Sequence, residues 1–405
     1  MHETALPNPA PRRARRWHRP ALAGGALLGA AALLAASAGA AAAATPSMVG
    51  GQGGTMAGPG SLAQLRAHFV ASVVAPNGDA NPYSLAIVPI TAGHLTAGNV
   101  LVTDFNNGAG LAGAGTSIMQ VDPATGSSSL FFQGSAANGI VGPVGIALNP
   151  AKDIVWLGDY GPANATGVYD GSNGNVALVS PAGAAVPGAL FDNTTTGMPI
   201  FNGVWGQAVS DVNGSVSFYW TNAGNGTTGQ GGGGIWRLDP LAGNTGQPLG
   251  STYTLLAKGL PASPAGSTAA TAAGPQGMVF DPANDTLYVS DDATNEIVAI
   301  PAANSATGPA TPIVVRAGGP LHAPQQLAID PSNGNLLVVN GAVNNDLVEL
   351  TTSGRVVGVK NIAPESPAGS LFGLAATTVN GQTVIYFDNS ATGSLEALAP
   401  AAGMH

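Results

Sequence analysis

From residue 80 onward, short apolar runs alternate with breaks rich in Asn, Asp, Gly and Pro, and the same order of runs and breaks returns six times. Each copy opens on a Pro-x-Gly-like turn, enters an apolar run, reverses at an Asp/Asn turn and passes through a second run that ends in Asp or Asn. The clearest copies are GPVGIALNPAKDIVWLGD from Gly142, GPQGMVFDPANDTLYVSD from Gly274 and APQQLAIDPSNGNLLVVN from Ala323. Weaker copies start at Asn81 (NPYSLAIVPITAGHLTAGNVLVTD), Gly203 (GVWGQAVSDVNGSVSFYWTN) and Ser370 (SLFGLAATTVNGQTVIYFDN). Runs of this length between turn residues read as strands. A third strand follows in SIMQVD, GNVALV, GIWRLD, EIVAIP and DLVELT, and a fourth in SLFFQG, PGALFD, STYTLLAK, TPIVVRAG and RVVGVK.

The residues just before the first strand of each copy, Ser84, Gly145, Gly206, Gly277, Gln326 and Gly373, are spaced by 61, 61, 71, 49 and 47 positions. Four strands at a period of roughly 40–50 residues describe a propeller blade, and the longer intervals carry insertions that map to loops. Those insertions are AGNGTTGQGGGG (223–234) and LPASPAGSTAATAA (260–273). The sixth copy reaches GSLEALAP (393–400) and then lacks chain for a fourth strand. The one unassigned strand-like segment, RAHFVASVVA (66–75), is expected to supply it as the outermost strand of the last blade, which closes the ring and removes exposed edges. The expected fold is therefore all-β: a six-bladed β-propeller of four-stranded blades, a single domain over 65–405. A β-sandwich has no sixfold register. A doubly wound sheet needs helices, and no segment after residue 65 keeps a 3.6-residue apolar period.

Composition agrees. Gly 59 and Pro 31 among 405 residues suit a chain of many turns, while 45% hydrophobic residues and a mean hydropathy of +0.22 exclude intrinsic disorder. Charged residues are only 8%. The net charge of −9 hides an asymmetry, because Arg12, Arg13, Arg15, Arg16 and Arg19 all precede the first apolar run. Without residues 1–44 the chain carries 7 basic and 20 acidic residues, a net charge of −13. No basic stripe is left to meet phosphates, so a nucleic-acid partner is not expected. With Cys 0 there is no disulfide framework, thiolate metal site or cysteine nucleophile.

Residues 12–19 (RRARRWHR) form a basic region and 21–36 (ALAGGALLGAAALLAA) an apolar one, followed by small-x-small cleavage patterns at Ala38-Gly39-Ala40 and Ala42-Ala43-Ala44. Residues 1–44 read as a secretory signal peptide and 45–64 as a flexible Gly-rich linker, placing the domain in the periplasm or outside the cell. The alternative is a retained anchor over residues 21–44, uncharged for 24 positions. Its Ala and Gly content favours cleavage, after which no stable membrane insertion is expected. The domain is expected to be a monomer.

PQGMVFDPANDTLYVSDDATNEIVAI and PQQLAIDPSNGNLLVVNGAVNNDLVEL resemble the NHL-repeat propellers, and the same lines are similar to the six-bladed SMP-30/gluconolactonase and strictosidine-synthase-like group. The resemblance covers 66–400 loosely and implies the fold more firmly than any activity, since such propellers host binding, scaffolding and several chemistries.

In a blade of this kind, the turn entering the innermost strand and the turn leaving the second strand emerge on one face near the axis. Entering turns contribute Tyr83, Val144, Trp205, Gln276, Gln325 and Phe372; leaving turns contribute Asp104, Asp159, Asn222, Asp291, Asn340 and Asp388. An aromatic and amide ring with an acidic rim suits a small polar or amphiphilic ligand: a small molecule, glycan or peptide. The competing reading of the leaving residues is architectural, with Asp or Asn capping the turn that follows each second strand. In lactonases of the group, Glu, Asn and Asp at the entering turns hold an axial divalent cation. The matching positions here hold no carboxylate, so no cofactor is expected; Gln276 and Gln325 alone would bind Ca²⁺ weakly.

His322, in GGPLHAPQQ, is the one histidine placed near that face and the weak catalytic candidate; His94 falls in a hairpin loop. No G-x-S-x-G elbow or phosphate loop occurs, and the DPAND and DPSNG segments read as tight turns rather than calcium loops. The expected function is an exported, non-catalytic binding propeller. The alternative is an exported hydrolase or lyase of the lactonase or streptogramin-lyase type with an atypical metal site.

Overall fold

The computed structural model describes residues 62–400 apart from 150–153, 225–232, 241–249, 262 and 265. The expected signal peptide and most of the expected linker lie outside the described residues, as does most of the 223–234 insertion. Leu62–Gln64 form a short 3-10 helix, and Leu62 is buried in the core between blades 5 and 6.

The described strands form six four-stranded antiparallel sheets. In blades 1 to 5 the strands follow one another outward in chain order, and their innermost members are Ala80–Ile87, Pro143–Leu148, Val204–Val212, Pro275–Asp281 and Pro324–Ile329. In blade 6 the order runs outward from Leu374–Val379 through Gln382–Asn389 and Ser394–Pro400 to Leu65–Ser72, the N-terminal strand. That last pair is in register from Leu65 opposite Pro400 to Ser72 opposite Ser394, with one bulge between Phe69 and Ala71. Each innermost strand packs beside that of the next blade, and blade 6 beside blade 1. The sixfold register and the N-terminal closure are thus as the repeat spacing predicts.

The second strands read as unbroken apolar runs because both of their faces are covered. In blade 2, Val155 and Leu157 face blade 1 and join Leu101 and Ile118, while Trp156 faces blade 3 and stacks on Phe218 at 4.7 Å. In blade 5, Leu336 and Val338 pack toward blade 4, and Leu337 and Val339 toward blade 6. Six cores of this kind fill the six gaps between neighbouring blades. Truncating a fully buried leucine such as Leu337 removes about 2–5 kcal/mol in such a setting.

Nearer the axis, hydrogen bonds pass from blade to blade. Thr221 Oγ1 donates to the Gln276 carbonyl (3.0 Å), Ser290 Oγ to the Gln325 carbonyl (2.6 Å) and Gln326 N to the Phe372 carbonyl (3.1 Å). Gly206 and Gly277 are small for the same reason. A Cβ on Gly206 would run into the Gln276 carbonyl oxygen, and one on Gly277 would lie 2.5 Å from Gln326 Cα.

Candidate functional site

The entering residues converge, but not from turns. Tyr83, Val144, Trp205, Gln276 and Gln325 lie inside the innermost strands, where the ladder to the second strand breaks register between Pro82 and Ser84, Pro143 and Gly145, Val204 and Gln207, Pro275 and Met278, and Pro324 and Leu327. Phe372 sits two positions ahead of its strand. The strands therefore begin earlier than the turn signals imply. A break of this sort leaves a residue out of the ladder and re-aims its side chain, here toward the axis. All six line one cavity, together with Gly206, Gly277 and Gln326.

The cavity is small, about 10 Å³, which is room for one water-sized group. Aromatic contacts fill the rest. Tyr83 stacks on Phe372 with ring centroids 4.4 Å apart and an interplanar angle of 19°, and Trp205 meets Tyr83 edge-on at 5.5 Å. Tyr83 and Phe372 remain half-exposed, whereas Val144, Trp205, Gln276 and Gln325 are buried. The Tyr83 hydroxyl donates to Gln325 Oε1 at 3.4 Å.

The leaving residues do not form a rim: Asp104, Asp159, Asn222, Asp291, Asn340 and Asp388 are all fully buried. Four of them hold backbone. Asn340 accepts from His322 N (3.0 Å) and donates to the Pro320 carbonyl (2.8 Å), and Asn222 accepts from Asn202 N and donates to the Ile200 carbonyl. Asp388 accepts from Phe372 N (3.0 Å) and Gly373 N (2.8 Å), and Asp291 from Ala293 N and Thr294 N. Asn222, Asn340 and Asp388 thus tie the second strand to the segment entering the first strand of the same blade. Asp104 and Asp159 have no hydrogen-bond partner on either carboxyl oxygen.

Burial accordingly pushes Asp104 up to about 9, with the nearby charges of Asp79 and Asp388 adding to it. Burial alone holds Asp159 well above the carboxylate range; Asp388 is raised in the same way, although the Phe372 and Gly373 N–H groups oppose the shift. Asp291 rises to about 6, again from burial against its two backbone hydrogen bonds.

Strand alternation explains what the sequence reading missed. Successive residues at a strand end point to opposite sides, so the residue after each leaving Asp or Asn faces the other way. Those successors include Phe105, Tyr160, Ala223 and Asp292. Phe105, Tyr160 and Ala223 join Val144 and Trp205 in one apolar cluster, with Trp205 edge-on to both rings at 5.5 and 5.1 Å. Ala269 and Ala272, from the Ala/Pro-rich insertion, and Tyr169 cover that side, where Ala269 N donates to the Tyr169 carbonyl.

On blade 4 the successor is a carboxylate. Asp292 accepts from Gly274 N at 2.7 Å and from Gln325 Nε2 at 3.4 Å. Burial lifts it to about 7, aided by Asp291 and opposed by the hydrogen bonds from Gly274, Gln325 and Gln276. Its charge and the burial of the ring together raise Tyr83 well above the ordinary tyrosine value, burial being the larger cause. The Asp291-Asp292 doublet was the available signal for this residue. The axial face is consequently two-sided, aromatic toward blades 6, 1, 2 and 3 and polar toward blades 4 and 5.

His322 is half-buried at the start of blade 5, and its positive charge opposes the burial that raises Asp346. It thus has an acidic neighbour that its sequence context does not reveal. His94 lies exposed in its hairpin. A hard divalent cation needs several oxygen ligands, preferably carboxylates. The axial residues offer Asp292 and the amides of Gln276, Gln325 and Gln326, and among the described residues no three His, Cys, Asp or Glu side chains gather in one place. The donor set does not fit an axial cation. The DPAND and DPSNG segments are turns, in which Asp281 accepts from Ala283 N and Asp330 from Ser332 N.

No protein-family model matches the chain, and no curated protein does. Solved structures do. A gluconolactonase from Xanthomonas campestris aligns over 84% of this chain and 90% of its own, at 16% identity and a TM-score of 0.54. A protein of unknown function from Bacteroides thetaiotaomicron aligns over 83% and 76%, at 11% identity and a TM-score of 0.52. An auxiliary nutrient binding protein from the same organism aligns over 79% and 69%, at 12% identity and a TM-score of 0.50. These likenesses establish a shared six-bladed propeller fold, and at such identities they concern the fold alone.

Proposed function

We propose that this chain is an exported, non-catalytic propeller that binds a small molecule, glycan or peptide at its axial face. The observation carrying the reading is the single cavity to which all six blades contribute, flanked by half-exposed aromatic rings on one side and the Asp292–Gln325–Gln276 group on the other. A site of that composition combines apolar contact with a few directed polar groups. With about 10 Å³ available inside, only a small group of the ligand enters, and its bulk rests on Tyr83 and Phe372. Among the propellers of like fold, one is described as a nutrient binding protein, which is consistent with this reading. Export rests on the basic and apolar segments of residues 1–44. No helix among the described residues is long and apolar enough to cross a membrane.

The test is a ligand screen on purified protein by thermal shift, followed by affinity measurements on Trp205→Ala and Gln276→Ala. Both variants are expected to weaken whatever ligand is found, and unchanged affinity in both places the binding site elsewhere. A second reading, an exported hydrolase or lyase with an atypical metal site, draws on the proximity of His322 and Asp346. It predicts tightly held metal in purified protein and an activity lost in His322→Ala; metal-free protein that remains active removes the lactonase analogy.

A further inference from the structure

A cavity of about 150 Å³ lies between the two outer strands of blade 2, Asn175–Val179 and Ala185–Phe191, and shares no lining residue with the axial cavity. Two features of the sequence open it. In the ladder between these strands Ala177 stands opposite Leu190 and Val179 opposite Ala185, so Val186, Pro187, Gly188 and Ala189 face Leu178 alone, an excess of three residues. The same pair of strands in blades 1, 3, 4 and 5 breaks register by one residue. Pro187 has no N–H to give the ladder and Gly188 takes a left-handed φ of 75°, so the segment leaves the ladder as a turn set inside a strand. The second feature is missing bulk. Ala177 pairs with Leu157, two positions before the leaving Asp159, and the equivalent places in blades 1, 3, 4 and 5 hold Met119, Trp236, Val298 and Val348.

The gap borders both cores that flank blade 2. Ile140 and Ala177 belong to the core shared with blade 1, and Leu178 and Ala189 to the core shared with blade 3. These four are buried, Val186 and Leu190 are half-buried, and Pro187 and Gly188 are exposed at the rim. No charged side chain lines the cavity, and its one polar side chain, Asn138, has Oδ1 occupied by Ser135 N and Ile140 N. An apolar cavity of ~150 Å³ admits a benzene-sized molecule, and removing apolar surface from water drives its entry. A charged group loses its hydration there with nothing to replace it. We infer that this gap is a second binding site, which takes an uncharged apolar group the size of a benzene ring. It is separate from the axial face, whose cavity of about 10 Å³ is too small for such a group.

The experiment uses the full chain labelled with ¹³C at the Ile, Leu and Val methyl groups, with the signals of Ile140, Leu178, Val186 and Leu190 assigned by single conservative substitutions. Benzene and toluene are titrated as probes; benzoate and benzylammonium, the same ring carrying a charge, are the controls. The assigned signals are expected to shift together and saturably with benzene and toluene and to stay in place with both ions. Ala177→Met, which borrows the residue of blade 1, fills the floor and should weaken benzene by about tenfold or more while the protein stays folded. If Ala177→Met fails to fold, Ala185→Leu, at the half-buried mouth of the gap, is expected to show the same loss. Trp205→Ala is expected to bind benzene as the parent does. Methyl signals that ignore benzene, equal shifts with benzoate or benzylammonium, or undiminished affinity in a folded filled variant overturn the site. Shifts lost in Trp205→Ala but kept in Ala177→Met place the ring on the axial aromatics and overturn it as well. Signals that move with protein concentration in the absence of probe mean that a second copy fills the gap, which also overturns it. The axial face is decided separately, by the ligand screen above.

Discussion

The rings of Tyr83 and Phe372 lie face to face, 4.4 Å apart and 19° from parallel, and they bridge blade 1 to blade 6. They lie 289 positions apart in the chain. Their contact exists only because the ring closes at this seam, so it reports on closure as well as on the site. Tyr83→Ala and Phe372→Ala are each expected to destabilise, and the double variant to lose less than the sum, with a coupling of about 0.5–1.5 kcal/mol. Urea denaturation of the four species measures it.

Gly206→Ala is expected to be costly although it adds one methyl group. The new Cβ meets the carbonyl oxygen of Gln276, which belongs to the backbone of the next blade and already accepts from Thr221. Overpacking against a fixed backbone costs about 1–3 kcal/mol. A shift in the chemical denaturation midpoint with unchanged slope is the expected result.

Removing the N-terminal strand, residues 62–75, exposes the Ser394–Pro400 edge and strips Leu65 and Ala71 from two inter-blade cores. Unpaired edges recruit other chains, so the truncated protein is expected to elute as oligomers or aggregate. Size-exclusion chromatography beside the full chain checks this.

The buried carboxyls make stability fall as pH rises. In an unfolded chain they titrate near pH ~4; folded, they keep their protons up to about 6 at Asp291, about 7 at Asp292 and about 9 at Asp104. A group of this kind stabilises fully below its unfolded value, and the contribution is lost as pH climbs through the folded value. The thermal midpoint is expected to decline from about pH 5 to pH 9, and Asp104→Asn should flatten the alkaline part of that decline.

The architecture was legible because its signals are local and repeated. The Asp/Asn that ends each second strand, the Pro-x-Gly-like starts and the doubly apolar second strands recur often enough to set the register, and the missing fourth strand of blade 6 pointed to the segment after residue 65. The site was legible only in outline. Tyr83, Trp205, Gln276, Gln325 and Phe372 do meet, since blade symmetry brings equivalent positions together. Depth was not legible: Asp104 and Asp388 look like a hydrophilic rim in sequence, and only the folded chain shows them to be buried. Asp292 went unseen because one position along a strand end decides which way a side chain turns. The cover supplied by Tyr169 and Ala269 went unseen because insertions carry no register.

The most direct measurement of the central claim, six blades closing so that distant residues share one axial cavity, is a nuclear Overhauser contact between the ring protons of Tyr83 and Phe372 in protein labelled at Phe and Tyr. The account predicts a strong cross-peak in the folded protein that vanishes in Phe372→Leu. A folded protein without that cross-peak would contradict it.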